Sequence, residues 1–261
     1  MSSALLLQFY LLVAWLCLVL SKYKGALMGV LNETCDDAKT NLTVDWKQDF
    51  RDFTCNEQRH WSVDEDVEPQ YYEMPNINPK TDIVYHHCMK DRITYNDQPP
   101  LRGDHRPNWA VFGEYLYLPP QRWLHNLEHG SIVMLYHPCA DEGQVEKLRY
   151  LVGSCIYRHI ITPYRWLKPD RPLALLSWGR KLEMNSVDIG QAVMFIMDHS
   201  RKSPEDLSKQ GQFDEFLLKP AQVVSDQNDS SVCPWRELDP QFESHLHGLV
   251  SPFDHLPLNH L

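Results

Sequence analysis

Residues 122–136, with the sequence RWLHNLEHGSIVMLY, constrain the fold of this chain more than any other stretch. The first half predicts about two helical turns over residues 121–129, and Gly130 follows as the residue that ends the helix. The second half, residues 131–136, is almost entirely apolar, which is typical of a central strand buried on both faces. The sequence therefore predicts a helix and a buried strand joined by one glycine.

Periodic segments on both sides extend this unit into a predicted core domain over residues 81–200. Two further helices are expected, because Asp141 and Asp188 each precede a helical pattern and each has a glutamine three residues later. Strands are predicted at residues 83–85, 111–118, 158–162, 173–178 and 181–184. The order β-β-α-β-α-β-β-α predicts an α+β fold, in which two to three helices pack on one face of a largely antiparallel sheet.

Loop-rich segments flank the predicted core. Residues 27–80 contain several prolines and an acidic stretch at residues 64–68, and Cys35 and Cys55 are expected to hold this segment in place. Residues 201–261 lose periodicity after one more expected helix, which begins at Ser203-Pro204 and continues to residue 217. A chain of 261 residues is long enough for one sizeable domain with extensions, or for two small domains.

The apolar run at residues 4–20 predicts a signal peptide or a signal anchor within residues 1–26. No basic residue precedes the run, whereas Lys22 and Lys24 follow it, an arrangement that also suits an uncleaved anchor. Three N-glycosylation triplets favour a secreted chain, or one on the lumenal or extracellular side of a membrane. The acceptors are Asn32, Asn41 and Asn228.

Six cysteines follow the leader: Cys35, Cys55, Cys88, Cys139, Cys155 and Cys233. An even number of cysteines in a lumenal chain suggests up to three disulfides, and six cysteines allow fifteen pairings. If the leader is not a signal, the same residues are instead expected to be buried free thiols. The absence of a CxxC motif argues against a zinc ribbon and against a thioredoxin-type centre.

The charge of the chain excludes nucleic acid as an expected partner. The formal net charge is −10, from 25 basic and 35 acidic residues, and no basic run is present. Membrane contact is expected only through the N-terminal apolar segment, and the sequence identifies no protein partner. The chain also has no GxSxG, Walker or GxGxxG motif and no papain-like cysteine context, which disfavours enzymes of those classes.

The motif His125-x-x-Glu128-His129 is the candidate metal site. Its two histidines lie at positions i and i+4, so on a helix they face the same way and can share one ion. His105 lies in a loop fixed by glycine and proline, and we predict it as the third ligand of a zinc or copper ion. The secondary candidates are Glu128, His86 and His87.

Two alternatives remain open for the same residues. HxxEH is also the inverted zinc-peptidase signature, in which Glu128 acts as the base, but Gly130 ends the helix early and only Glu183 or Glu205 is available as a distant ligand. In a purely structural interpretation, the histidines bond to carbonyls at the helix end and Glu128 pairs with Arg122 or Arg106. The loop at residues 99–109 would then be fixed onto the sheet.

Further residues around this motif belong to a wider pattern: Pro99, Pro100, Gly103, His105, Gly113, Tyr115, Leu124, His125, Glu128, His129, Gly130, Tyr136, Trp178 and Gly179. This pattern resembles a known family, the secreted domain of unknown function thirty-one-oh-five of bacteria and animals. The resemblance covers about residues 85–200 and centres on the HxLEHG pattern. In animals it is similar to the extracellular part of the family of tumour protein p53-inducible protein thirteen. That similarity implies a stress-induced, growth-restraining membrane protein, and the family brings no established catalytic residues.

Overall fold

The computed structural model describes residues 25–78 and 81–235. The leader prediction therefore lies outside the described residues, except for Gly25 and Ala26. None of the helices in the described ranges has the length and apolar composition needed to cross a membrane. The strands are β1 (Gln70–Glu73), β2 (Gly113–Tyr115), β3 (Ile132–Tyr136), β4 (His159–Pro163), β5 (Leu173–Ser177), β6 (Arg180–Met184) and β7 (Leu217–Pro220). The helices are α1 (Pro120–Glu128), α2 (Glu142–Cys155) and α3 (Ile189–His199), and 3-10 turns lie at Leu42–Val44 and Phe50–Asp52.

The seven strands form one sheet in the order β1-β6-β5-β3-β4-β2-β7. The pairs β1–β6, β6–β5, β5–β3 and β2–β7 are antiparallel, whereas β3–β4 and β4–β2 are parallel. The apolar strand β3 lies at the centre, and its first four residues are fully buried. The predicted α+β fold with a largely antiparallel sheet is therefore confirmed.

The helices cover both faces of the sheet, which corrects the expectation that they share one face. Ile132 and Met134 of β3 pack in the same core as α2 and α3. Val133 and Leu135 point the other way and pack with residues of α1. Since β3 is apolar at every position and successive side chains alternate in direction, each face needs its own cover.

The predicted helix starts are confirmed at both aspartates. The Asp141 carboxylate accepts a hydrogen bond from the Gln144 backbone N–H at 3.0 Å, and Asp188 accepts one from Gln191 at 2.9 Å. These bonds satisfy backbone donors that have no partner within the helix. The first helix begins instead at Pro120, where a missing backbone N–H costs nothing.

Two predicted elements are wrong. Residues 83–85 form no strand; only His86 beside them makes isolated bridges, to Gly25 and His105. Residues 203–217 form no helix, because their backbone bonds to other segments: Glu205 N–H donates to Glu128 O at 3.0 Å, for example. The predicted strand at residues 111–118 is shorter, as β2. Strands β1 and β7 lie outside the predicted core of residues 81–200.

Disulfides and buried ion pairs attach the segments on both sides of the core to it. The three disulfides are Cys35–Cys88, Cys55–Cys139 and Cys155–Cys233, so all six candidate cysteines are paired. Arg122 of α1 donates to both oxygens of Asp36, at 2.6 and 2.9 Å, and both residues are 1% exposed. Such a pair is neutral overall, but removal of one member leaves a buried charge without compensation.

We therefore expect Arg122→Ala to lower the free energy of unfolding by about 3–5 kcal/mol, because it strands the Asp36 carboxylate in the interior. The matched control is Arg51→Ala. Arg51 also pairs with an aspartate, Asp49, but its side chain is 58% exposed. Its loss is expected to leave stability almost unchanged, because solvent screens an exposed ion pair. Urea denaturation of the two variants checks the comparison, and equal losses would contradict it.

Candidate metal centre

The last turn of α1 presents two side chains to the candidate site. His125 and Glu128 are three residues apart, so they lie on neighbouring positions of one helix face. Both are fully buried. The helix ends immediately afterwards, because Gly130 adopts a φ of 84°. That conformation suits glycine, and it lets the chain turn directly into β3.

Two extended segments beside α1 supply two further histidines. His86 and His105 are partners in a parallel bridge, in which His105 N–H donates to Tyr85 O and His87 N–H donates to His105 O. Successive side chains of an extended segment point to opposite sides, so His86 points inward and His87 outward. His86 is 5% exposed and His105 is fully buried.

These four side chains meet at one point. His86, His105, His125 and Glu128 each offer a ligand atom, and the four atoms lie within 4.8 Å of one another. Glu128 Oε2 is 3.0 Å from His105 Nε2 and 3.4 Å from His86 Nε2. The ring of His125 is stacked on that of His86, with centroids 4.7 Å apart. We call these four residues the His₃Glu cluster.

Backbone carbonyls orient two of the rings. His105 Nδ1 lies 2.8 Å from Gly103 O, and His125 Nδ1 lies 2.6 Å from Arg106 O. A carbonyl oxygen only accepts, so each Nδ1 carries the hydrogen. In His125, the Nε2 atom therefore turns toward the cluster, where it has no hydrogen-bond partner among the described residues. Histidines that bind a metal through one ring nitrogen typically donate the hydrogen on the other nitrogen, here Nδ1, to a carbonyl or a carboxylate.

Within the cluster, the electrostatics favour an ionised Glu128 carboxylate and a neutral His125 ring. Burial opposes ionisation of Glu128, but hydrogen bonds from His105 and His86 hold the pKa of Glu128 well below its usual range. Burial lowers the pKa of His125, and the neighbouring histidines lower it further. The 3.0 Å contact between His105 Nε2 and Glu128 Oε2 requires one shared proton. A cation bound by the cluster would replace that proton.

His129, predicted as a ligand together with His105 and His125, lies outside the His₃Glu cluster. Its Nε2 atom is 3.3 Å from Glu205 Oε2, and its ring packs edge-on against Trp109 at 4.4 Å. Burial lowers the pKa of His129. His87 also lies elsewhere, with Nε2 2.8 Å from Asp104 Oδ2 at the surface. The thiol of Cys88 is bonded to Cys35 and offers no thiolate.

The ion pairs of the structural interpretation do not form. Arg122 binds Asp36, and Arg106 binds Asp45 at 2.5 and 2.8 Å, so neither arginine pairs with Glu128. The loop is nevertheless fixed onto α1. The Asn126 side chain exchanges two hydrogen bonds with the backbone of Ala110, at 2.9 and 3.1 Å.

The distant glutamates of the peptidase alternative lie apart from the cluster. Glu183 belongs to β6 and pairs with Lys181 at 2.8 Å, and Glu205 approaches His129 instead. No cluster residue is more than 5% exposed, so the four side chains form a closed site. A metal-dependent hydrolase needs an open coordination position that water and substrate can reach. The geometry therefore fits binding better than hydrolysis.

From the sequence, His86 is only a secondary candidate ligand. The dipeptide His86-His87 did carry a signal, since one of two adjacent residues in an extended segment must face the interior. The sequence could not tell which of the two does so, because the bridge to His105 joins residues that are 19 positions apart. The neighbouring rings of Trp109 and Trp178 were also not assigned to the site; their centroids lie 4.8 Å from His125 and 6.4 Å from His105.

The segment that contains the cluster matches a known protein family. Residues 86–212 match the family described as "Protein of unknown function (DUF3105)". The DUF3105 match begins at His86 and includes all four cluster residues, and it confirms the family resemblance for this segment.

A relative found in the same comparison is tumor protein p53-inducible protein 13 of Rattus norvegicus. It is 33% identical over 66 residues, which are 25% of this chain and 17% of the relative. The match therefore spans only about a sixth of the length of that relative. No solved structure matches the chain.

The glycine that ends α1 next to the cluster allows a paired test. A Cβ on Gly130 would lie 2.7 Å from Arg201 Cα at a φ of +84°, so Gly130→Ala should lower the free energy of unfolding. We expect a loss of about 1–3 kcal/mol. Gly153 in α2 has open space at the Cβ position, so Gly153→Ala should leave stability unchanged or raise it by up to about 1 kcal/mol. Thermal unfolding of both variants checks this, and a Gly130→Ala protein as stable as wild type would contradict it.

Proposed function

We propose that this protein is a transition-metal-binding domain whose ligands are His86, His105, His125 and Glu128. The proposal rests on one observation: three imidazoles and one carboxylate converge in the interior, within 4.8 Å of one another. Four ionisable groups are costly to bury together unless they are paired or bind a metal. The contact from each Nδ1 of His105 and His125 to a carbonyl supports the same conclusion.

The ligand set favours zinc or copper. Imidazole nitrogens suit these metals, whereas Mg²⁺ and Ca²⁺ prefer oxygen ligands throughout. In a tetrahedral zinc site with bonds of about 2.1 Å, neighbouring ligand atoms lie about 3.4 Å apart. The contact from Glu128 Oε2 to His86 Nε2 already has that length, 3.4 Å. Small side-chain rotations would bring the remaining ligands to the same spacing.

A metal in this site would join three parts of the chain. Glu128 and His125 belong to α1, His105 to the loop before it, and His86 to the extended segment that follows the N-terminal region. Because the cluster is closed to solvent, its metal would be held for stability or storage, and hydrolysis is the less favoured alternative. A binding or signalling domain without metal is the competing function.

We further propose that the chain acts in an oxidising compartment, secreted or on the lumenal side of a membrane. Three disulfides support this, because such bonds persist outside the cytosol. The predicted glycosylation acceptors Asn32, Asn41 and Asn228 are all exposed. From the name of the p53-inducible relative we propose one separate property for this chain, induction by p53; the family resemblance adds the expectation that the chain is stress-induced and restrains growth. That expectation uses no residue of the cluster.

Metal analysis of the purified full chain tests the proposal. We expect roughly one zinc or copper ion per chain, lost in His125→Ala. Chelation should lower the melting temperature of the wild type, and metal should restore it, since a ligand at 100 times its Kd adds about 2.7 kcal/mol. The matched control is His60→Ala, because His60 lies away from the cluster, against Ala140 and Glu142. This control should keep both the metal and the thermal response.

Glu128→Gln provides a second variant that keeps the shape of the side chain. It should fold, bind the metal more weakly and respond less to added zinc. The proposal is overturned if the wild type contains far less than one ion per chain and if added zinc and copper both leave its melting temperature unchanged. In that case the four side chains serve only to pack α1 against its loop.

A further inference from the structure

An open cleft lies beside the start of α1, away from the His₃Glu cluster. It has a volume of about 710 Å³, which falls within the range of small-ligand pockets, about 300–1,000 Å³. Residues of the 3-10 turns in the N-terminal segment, together with residues 90 and 92–95, form its walls. Tyr117, Tyr164 and Gln121 belong to the interior side, and Trp166 lies at the mouth. We call it the Trp166 cleft.

Unpaired positive charge lines the Trp166 cleft. Lys47, Lys90 and Arg92 all line it, all are exposed, and none makes an ion pair with another described residue. The acidic residues of the cleft are neutralised. Asp45 binds Arg106, Asp49 binds Arg51, and Asp52 binds Arg165. Asp91, between the two cations of the loop, does not line the cleft.

This excess of positive charge contrasts with the rest of the chain, whose formal net charge is −10. A concave site lined by charges of one sign raises the local concentration of ions of the other sign. The cleft is therefore suited to a ligand that carries at least one anionic group.

Aromatic rings provide a second type of contact. Trp166 is 57% exposed, and the guanidinium of Arg165 lies 4.7 Å from its ring centroid on one side. Arg165 is itself fixed by Asp49 and Asp52, at 3.3 and 3.0 Å, so the indole has a rigid support. An exposed indole at the mouth of a pocket offers a flat apolar surface to a ring, and such rings are enriched where ligands bind.

A buried acceptor provides the third contact. Gln121 is 8% exposed, and its Nε2 donates to Ile93 O at 3.1 Å. Its Oε1 atom is buried and has no hydrogen-bond partner among the described residues, and Gln121 is one of the residues that line the cleft. A buried amide oxygen without a donor is costly, so a hydroxyl group from a ligand would be well placed to satisfy it.

We propose that the Trp166 cleft binds an acidic oligosaccharide, such as a sulfated or uronic-acid-containing glycan. The anionic groups pair with Lys47, Lys90 and Arg92, one sugar ring stacks on Trp166, and a sugar hydroxyl donates to Gln121 Oε1. A nucleotide also combines a ring with an anion. The unsatisfied Gln121 Oε1 acceptor and the open shape of the cleft favour a ligand that is rich in hydroxyl groups over a nucleotide. Binding of a nucleotide is measured in the same experiment. This proposal is independent of the metal site.

Titration of the full chain with a heparin-derived tetrasaccharide, followed by tryptophan fluorescence and calorimetry, tests the proposal. We expect saturable binding that is at least about tenfold tighter than binding of the same tetrasaccharide after desulfation. Affinity should fall as salt rises, because the contacts are solvent-exposed. The double variant Lys90→Glu/Arg92→Glu should weaken binding at least about tenfold, since it replaces attraction by repulsion. Trp166→Ala should weaken binding of both saccharides.

The matched control is Lys202→Glu, which reverses an exposed charge after α3, outside the cleft. It should leave the affinity unchanged, as should removal of metal by a chelator. The substituted side chains are exposed, so the variants should fold, and far-UV circular dichroism verifies this. The proposal is overturned if neither saccharide binds, if both bind equally, if Lys202→Glu weakens binding as much as the cleft variant, or if Trp166→Ala has no effect. Tighter binding of a nucleoside monophosphate than of the tetrasaccharide also overturns it.

Discussion

The burial of a polar helix determines much of this structure. Helix α1 and the residue that ends it carry polar side chains that are at most 1% exposed: Arg122, His125, Asn126, Glu128 and His129. Each would be costly in the interior without a partner. The partners come from the loop before α1 and from the N-terminal segment, through Asp36, Ala110 and the carbonyl of Arg106. These contacts hold both segments against α1.

Glu128 differs from the other polar residues of α1 in its partners. Arg122 and Asn126 have partners that complete their hydrogen bonding without any added ion. Glu128 faces two histidines, and His125 directs a ring nitrogen to the same place. A carboxylate that only had to be neutralised would be better served by one arginine, and two buried arginines lie nearby with other partners. Because Glu128 faces imidazoles and not a guanidinium, the cluster is better suited to a metal than to a purely structural network.

The sequence predicted those parts of the fold whose causes are local. The apolar run of β3, the aspartate caps of α2 and α3, and the glycine after α1 each depend on a few neighbouring residues. The placement of helices on both faces, the pairing of cysteines and the selection of His86 over His87 all depend on contacts between distant segments. Residues 203–217 contain a helix start signal, yet their backbone bonds to α1 and β2 instead. At the site, the spacing along α1 indicated His125, with Glu128 as a secondary candidate, and the loop before α1 indicated His105. The same spacing also indicated His129, which lies outside the cluster, and only the bridge between residues 86 and 105 brings His86 to the site.

The Cys35–Cys88 disulfide, a bond typical of an oxidising compartment, fixes residues close to the His₃Glu cluster. Cys35 precedes Asp36, which neutralises Arg122, and Cys88 lies two residues after His86. The carbonyl of Cys88 also accepts a hydrogen bond from Arg106, whose own carbonyl orients His125. This one disulfide therefore holds both Asp36, the counter-ion of Arg122 near the start of α1, and His86, a candidate ligand near the end of α1. A disulfide that closes a loop of 53 residues restricts the unfolded chain by about 4 kcal/mol. The Cys35–Cys88 bond therefore supports the geometry of the cluster, because it fixes two of the segments that surround α1 in addition to their polar and apolar contacts.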